Sequence, residues 1–96
     1  MNESWPKRVS ISDAVIFQEI EGECVLLNMT SEQYYGLDNV GTRMWQLLSE
    51  HGKPSVVLEQ LRKYYQIDEG TLRRDLGAFI AELQAEGLVE VEAAAA

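Results

Sequence analysis

The sequence predicts an α+β domain in which three short antiparallel strands precede three helices. Three observations carry this. Apolar and β-branched residues fall in brief runs between Val15 and Leu37, joined by short polar links. After Leu37 the apolar period changes from two to 3.6 residues. Glycines, a proline and capping side chains then divide the chain into three amphipathic segments.

Val15–Ile20 is rich in β-branched and aromatic residues, and Cys24–Asn28 is an apolar run. Both read as strands. Glu21-Gly22-Glu23 joins them as a short turn, with Gly22 available for positive φ. Met29–Gln33 is a polar connection to a third strand, Tyr34–Leu37. In such a meander the third strand lies at the edge, beside the second only.

Asp38 or Asn39 is a good N-cap for the first helix, since a side-chain oxygen there takes a free helix N–H. Val40, Met44, Leu47 and Leu48 share its apolar face, Trp45 widens that face into the core, and His51-Gly52 ends the helix. Lys53-Pro54-Ser55 opens the second helix, with Ser55 expected as its cap. Its stripe is Val57, Leu58, Leu61, Tyr64 and Tyr65. Asp68 caps a third helix running to about Glu86, with Gly87 as the stop and Leu72, Leu76, Phe79, Ile80 and Leu83 as its stripe. Leu88–Val91 is short and β-like, either packed under the helices or forming a small strand. Helices with one apolar stripe each must bury it against one another and the sheet. The outline is that of a winged helix-turn-helix with its main sheet placed first.

Residues 1–13 are polar apart from Trp5-Pro6 and are expected to form a flexible N-terminal arm, with Trp5 as a candidate cap on the sheet. Residues 14–91 are expected to form the single domain, and residues 92–96 a disordered tail.

Composition narrows the function. The 96 residues carry a formal net charge of −8, with the eight Lys and Arg scattered from Lys7 to Arg74. Such a surface repels a phosphate backbone, so nucleic acid is not an expected partner. The third helix with its caps carries Arg73 and Arg74 against Asp68, Glu69, Asp75, Glu82 and Glu86, a net −3. This weighs against the alternative of a winged-helix DNA-binding regulator, whose last long helix would enter the major groove.

No apolar run approaches the ~18 residues of a membrane span, and MNESWPKR lacks the apolar segment of a signal peptide. A single cysteine, Cys24, excludes an internal disulfide and suits a cytoplasmic protein. Cys24 lies in an apolar strand and is expected to be a buried, inert thiol. His51, in the last turn of a helix, complements the dipole there. One Cys and one His make no zinc site, and the seven glycines form no phosphate cradle. No catalytic residues, metal or cofactor are therefore expected.

What remains is the edge strand. Tyr34-Tyr35-Gly36-Leu37 has no lysine, proline or charge to blunt it. Alternation puts Tyr35 and Leu37 on one face and Tyr34 on the other. Gly36 lets a visiting backbone approach closely. The strand is thus a candidate docking edge, against the plainer possibility that its tyrosines only pack.

The stretch VLLNMTSEQYYGLDNVGTRMWQLL, followed by a helix ending LRRDLGAFIAELQAEGLVEV, resembles the PqqD-like family, the recognition elements of ribosomally made, post-translationally modified peptide pathways. The matching features are a strand ending Leu27-Asn28, a Tyr35-x-Leu37-Asp38 strand exit, Gly41-x-x-Met44-Trp45 at the helix start, and closure at Gly87-Leu88-Val89. They extend over about residues 14–91 and look most like the free-standing members from lasso-peptide clusters. The resemblance implies a three-stranded sheet packed on three helices and an adaptor that binds a precursor's leader peptide. The leader adds as a fourth strand, antiparallel to the third, in the cleft beside the third helix. In lasso leaders a Tyr-x-x-Pro element supplies the anchors.

Carried onto this sequence, the strand side of the cleft is Tyr34, Tyr35, Gly36 and Leu37. The helix side is drawn from Leu72, Arg73, Leu76, Phe79, Ile80 and Leu83, for which plain core packing is the competing role. Arg73 and Arg74 are candidates to meet an acidic leader residue, or simply a solvated face. Gly77, in mid-helix, fits close approach of a leader or of a neighbouring helix. The implied partners are the leader peptide and a processing protease, with a cyclase in the same pathway. An adaptor serving a radical or other tailoring enzyme is a further possibility, and the sequence leaves the oligomeric state open.

Overall fold

The computed structural model describes residues 6–93. Its order is β1 (Pro6–Ile11), β2 (Val15–Ile20), β3 (Glu23–Asn28), β4 (Gln33–Leu37), α1 (Asn39–His51), α2 (Pro54–Tyr64), α3 (Glu69–Ala85) and β5 (Val89–Ala93). Strands β2, β3 and β4 form an antiparallel sheet in that order. Glu21 and Gly22, at φ 54° and 83°, make the two-residue β2–β3 turn. Positive φ at both positions is what a tight hairpin with the natural strand twist requires.

The three helices follow as expected. Asp38 caps α1 by accepting from the Gly41 N–H at 2.8 Å, and Asp68 caps α3 by accepting from the Thr71 N–H at 3.1 Å. The start of α2 differs from expectation. Lys53 is the N-cap residue and makes no side-chain cap bond, and Ser55 lies inside the first turn. Pro54 at the first helical position sets this start, because its fixed φ suits a helix and its missing N–H costs nothing there.

The N-terminal arm requires a larger correction. Pro6–Ile11 is a strand, paired antiparallel with Val89–Ala93 in a second, two-stranded sheet. Val9 is buried, its N–H donates to the Gly52 carbonyl at 2.7 Å, and the Ser12 N–H donates to the Leu88 carbonyl at 3.0 Å. Val9, Ile11, Val89 and Val91 pack on or within the core. The folded unit therefore begins before residue 14. Glu92 and Ala93, expected in the tail, belong to β5. Trp5 and residues 94–96 lie outside the described residues.

The core is one cluster. Trp45, Leu26, Leu48, Leu61, Leu76 and Leu88 are its largest fully buried side chains. Phe17 on β2 meets Trp45 edge-on, with centroids 5.4 Å apart and an interplanar angle of 76°. Cys24 is buried and free. Burial, and then the nearby Glu19 charge, push its thiol pKa up, away from the reactive thiolate. No helix among the described residues is long and apolar enough to cross a membrane.

Candidate functional site

The site is built on strand β4. Among the described residues its only strand neighbour is β3, so one side of Gln33–Leu37 is open. The register is Cys24↔Leu37, Val25↔Gly36, Leu26↔Tyr35 and Leu27↔Tyr34. Hydrogen bonds near the two ends of β3 fix which backbone groups face outward. The Cys24 N–H turns toward the β4 side, donating to Thr42 Oγ1 at 2.8 Å, and the Thr42 hydroxyl donates to the Leu37 carbonyl at 3.3 Å. The Met29 N–H turns the opposite way, to the Ala14 carbonyl just before β2. Backbone groups alternate along an antiparallel strand. Leu26 and Tyr35 therefore face each other across the ladder, and Tyr34 and Gly36 direct their N–H and C=O groups to the open side.

Two buried polar side chains hold this edge in place. At one end Thr42 clips β3 and β4 to α1 through the bonds just described. At the other, Asn28 Nδ2 donates to the Glu86 carbonyl at 3.0 Å, while its Oδ1 accepts from Thr30 N–H at 2.9 Å and Ser31 N–H at 3.3 Å. Asn28 thus ties the β3–β4 turn to the end of α3. A residue at either position without hydrogen-bonding capacity strands buried backbone groups.

Between β4 and α3 runs a groove made of two adjoining hollows, each of about 320 Å³. The first is floored by Leu26, Leu83 and Leu88 and walled by Tyr35, Phe79 and Glu86. The second lies toward the start of α1, against Leu37, Val40, Met44 and Asp75. Gly36, Leu37, Phe79 and Glu82 belong to both. At the outer end the Tyr35 hydroxyl donates to Glu86 Oε1 at 2.8 Å, with Gln33 Oε1 at 3.0 Å. The bond to Glu86 raises the Tyr35 pKa above its ordinary value, with lesser contributions from burial and the Glu86 charge.

The residues named from the sequence separate into groups. Tyr35, Gly36, Leu37, Phe79 and Leu83 meet in the groove. Tyr34 is 71% exposed on the other face of the strand. Leu72, Leu76 and Ile80 are core residues, each at most 2% exposed, and line neither hollow of the groove. Arg73 lines a separate depression between α2 and α3, with Ser55, Leu58, Glu59, Arg62 and Glu69. Arg74 is exposed on α3 and lines neither hollow of the groove. Sequence reasoning missed Glu82 and Glu86 as groove walls. Their spacing from Phe79, three and seven residues on, was the available signal, since such positions share a helix face.

Among the described residues no group of three or more His, Cys, Asp or Glu is placed to hold a metal ion. The groove has apolar walls, a free strand edge and carboxylates, which suits it to an extended peptide.

The family described as "Coenzyme PQQ synthesis protein D (PqqD)" matches residues 23–89. The chain belongs to the PqqD family. The match runs from the start of β3 into β5 and so includes both walls of the groove. No curated protein matches the chain. Two solved structures share the PqqD-family fold. TbiB1, in complex with the TbiA(beta) leader peptide, is 40% identical, with a TM-score of 0.82 over 84% of this chain and 94% of that one. A lasso peptide synthetase B1 complexed with a leader peptide is 20% identical, with a TM-score of 0.79 over 86% of this chain and 98% of that one, a likeness of fold.

Proposed function

We propose that this PqqD-family protein is a non-catalytic adaptor that captures the leader of a ribosomal precursor peptide by strand addition to β4. The observation that carries the proposal is the open edge itself, with the outward groups of Tyr34 and Gly36 beside an apolar groove. The likeness to TbiB1, a leader-bound protein, supports the same occupant. Tyr34, Tyr35, Gly36 and Leu37 form the strand side of the site. Phe79 and Leu83 provide its apolar helix side, while Leu72, Leu76 and Ile80 pack in the core. Bound this way, the leader is held for a processing protease, with a cyclase acting in the same pathway. Tethering raises the effective concentration of the cleavage site at the protease.

The energetics are adequate. Two residues with two outward groups each offer four backbone hydrogen bonds, each worth ~0.5–1.5 kcal/mol net. Two buried anchors add ~1.5–3 kcal/mol each. Ordering the leader and losing its free motion offset several kcal/mol. The balance is consistent with roughly micromolar binding, about −8 kcal/mol. Anchors then decide affinity, and backbone pairing decides register.

The test is titration of the ¹⁵N-labelled chain with the TbiA(beta) leader peptide. Saturable binding that protects the Tyr34 and Gly36 amides from exchange is expected. Binding that leaves both amides unprotected, or no binding, refutes strand addition by this probe. No observation favours the DNA-binding alternative, and the net −3 of α3 with its caps opposes it.

A further inference from the structure

We infer that the groove selects leaders carrying a lysine or arginine beside the apolar anchor, and that Glu82 is the residue that reads this charge. The inference rests on the leader-capture proposal and adds to it the chemistry of the recognised segment.

The carboxylates are placed along the groove rather than scattered. Glu82 and Glu86 line the first hollow, and Asp38, Asp75 and Glu82 line the second. No lysine or arginine lines either. Two of the four carboxylates already have partners: Asp38 caps α1, and Glu86 accepts from Tyr35. Glu82 and Asp75 are exposed. Glu82 is central, being common to both hollows and one turn along α3 from Phe79, the aromatic wall they also share.

A strand lying on β4 presents side chains to α3 at every second residue, ~7 Å apart. Glu82 and Glu86 are separated by ~6 Å of helix rise. A peptide that seats a bulky apolar side chain against Phe79 therefore brings the residue two positions away within reach of Glu82. An acidic residue there meets a like charge beside a low-dielectric wall, and a basic one gains a charge-assisted hydrogen bond. The backbone edge accepts any sequence, so this charge acts beside the apolar anchor in rejecting wrong partners.

The test uses the full chain and TbiA(beta) leader variants in which each position in turn is replaced by Lys or by Glu. Affinities are read by fluorescence anisotropy. At the position two residues from the apolar anchor, Glu should bind at least tenfold more weakly than Lys. Glu82→Lys should invert that preference at the same position. Glu59→Lys, the same charge change on the α2 side of the molecule, should leave it intact. Circular dichroism checks that both variants are folded. Indifference to charge at every position overturns the inference while leaving leader capture standing, as does an equal effect of Glu59→Lys and Glu82→Lys, which would mark only the overall negative field. If no leader variant binds the wild-type chain, leader capture fails and the inference with it.

Discussion

Replacing Gly36 by proline separates docking from folding more cleanly than any other single change. Gly36 pairs with Val25 in register, but its N–H faces the open side, so the internal ladder loses no hydrogen bond. Proline is tolerated on the free side of edge strands. It also restricts the preceding residue to extended backbone, which Tyr35 already has within β4. A Cβ built on Gly36 meets nothing within 4 Å, so the fold itself does not require glycine here. The folded chain should therefore lose little, less than about 1 kcal/mol, or roughly 4–8 °C in Tm at most. A visiting strand loses one hydrogen bond of ~0.5–1.5 kcal/mol and meets the pyrrolidine ring in place of an N–H. At ~1.4 kcal/mol per factor of ten, a loss of tenfold or more in leader affinity is expected. Thermal melts by circular dichroism and titration with the TbiA(beta) leader measure the two effects. Wild-type leader affinity in a folded Gly36→Pro variant would refute pairing at this edge.

Phe79→Ala should weaken leader binding by about tenfold and cost ~1–2 kcal/mol of stability, less than the ~3–5 kcal/mol of a fully buried phenylalanine, because Phe79 is only half-buried. Thr42→Val keeps the side-chain shape but leaves the buried Cys24 N–H without its acceptor. A loss of ~1–3 kcal/mol, read by urea unfolding, is expected. The hydrogen bond to Glu86 raises the Tyr35 pKa in the folded state, so its contribution is complete below the ordinary tyrosine value of ~10 and is lost as pH rises through the higher folded value. Glu86→Ala should bring Tyr35 back toward the ordinary value, as followed by ¹³Cζ NMR titration.

Local signals made much of this fold legible. The Glu21-Gly22 turn, the Asp38 and Asp68 caps and the Gly52 stop each act within a few residues, and each lies where the sequence places it. What escaped was non-local. Lys7, Arg8 and Ser10 make β1 look like a polar arm, yet Val9 and Ile11 alternate with them and find Val89 and Val91 some eighty residues away. Only that partner makes the segment a strand. The third-helix stripe identified the core face but not its border. Leu72, Leu76 and Ile80 are covered, while Phe79, at the rim of the same stripe, opens to the groove. Val40, expected on the buried face of α1, is exposed and lines the second hollow. Asn28 was visible only as the end of an apolar run. Its role depends on the Glu86 carbonyl, fifty-eight residues away.

The same helical frame that suits a winged helix to DNA is directed elsewhere by two features of this chain. Charge is the first, since α3 and its C-cap present Asp75, Glu82 and Glu86 along the groove, where a nucleic-acid reader needs cations. Sheet order is the second. Because β4 is joined to α1 through Asp38 alone, that connection cannot fold back over the edge, and among the described residues no strand but β3 pairs with it. Asn28 ties one end of the edge to the end of α3 and Thr42 ties the other to α1, so both ends of the edge are anchored before any ligand arrives. Preorganisation of this kind reduces the ordering cost of binding to that of the peptide alone. A strand of five residues is also too short to template extended self-pairing, which lets the protein keep an unguarded edge. The open edge and the acidic helix face are thus independent features with one geometric meeting point, Gly36 and Leu37 on the strand opposite Phe79 and Glu82 on the helix.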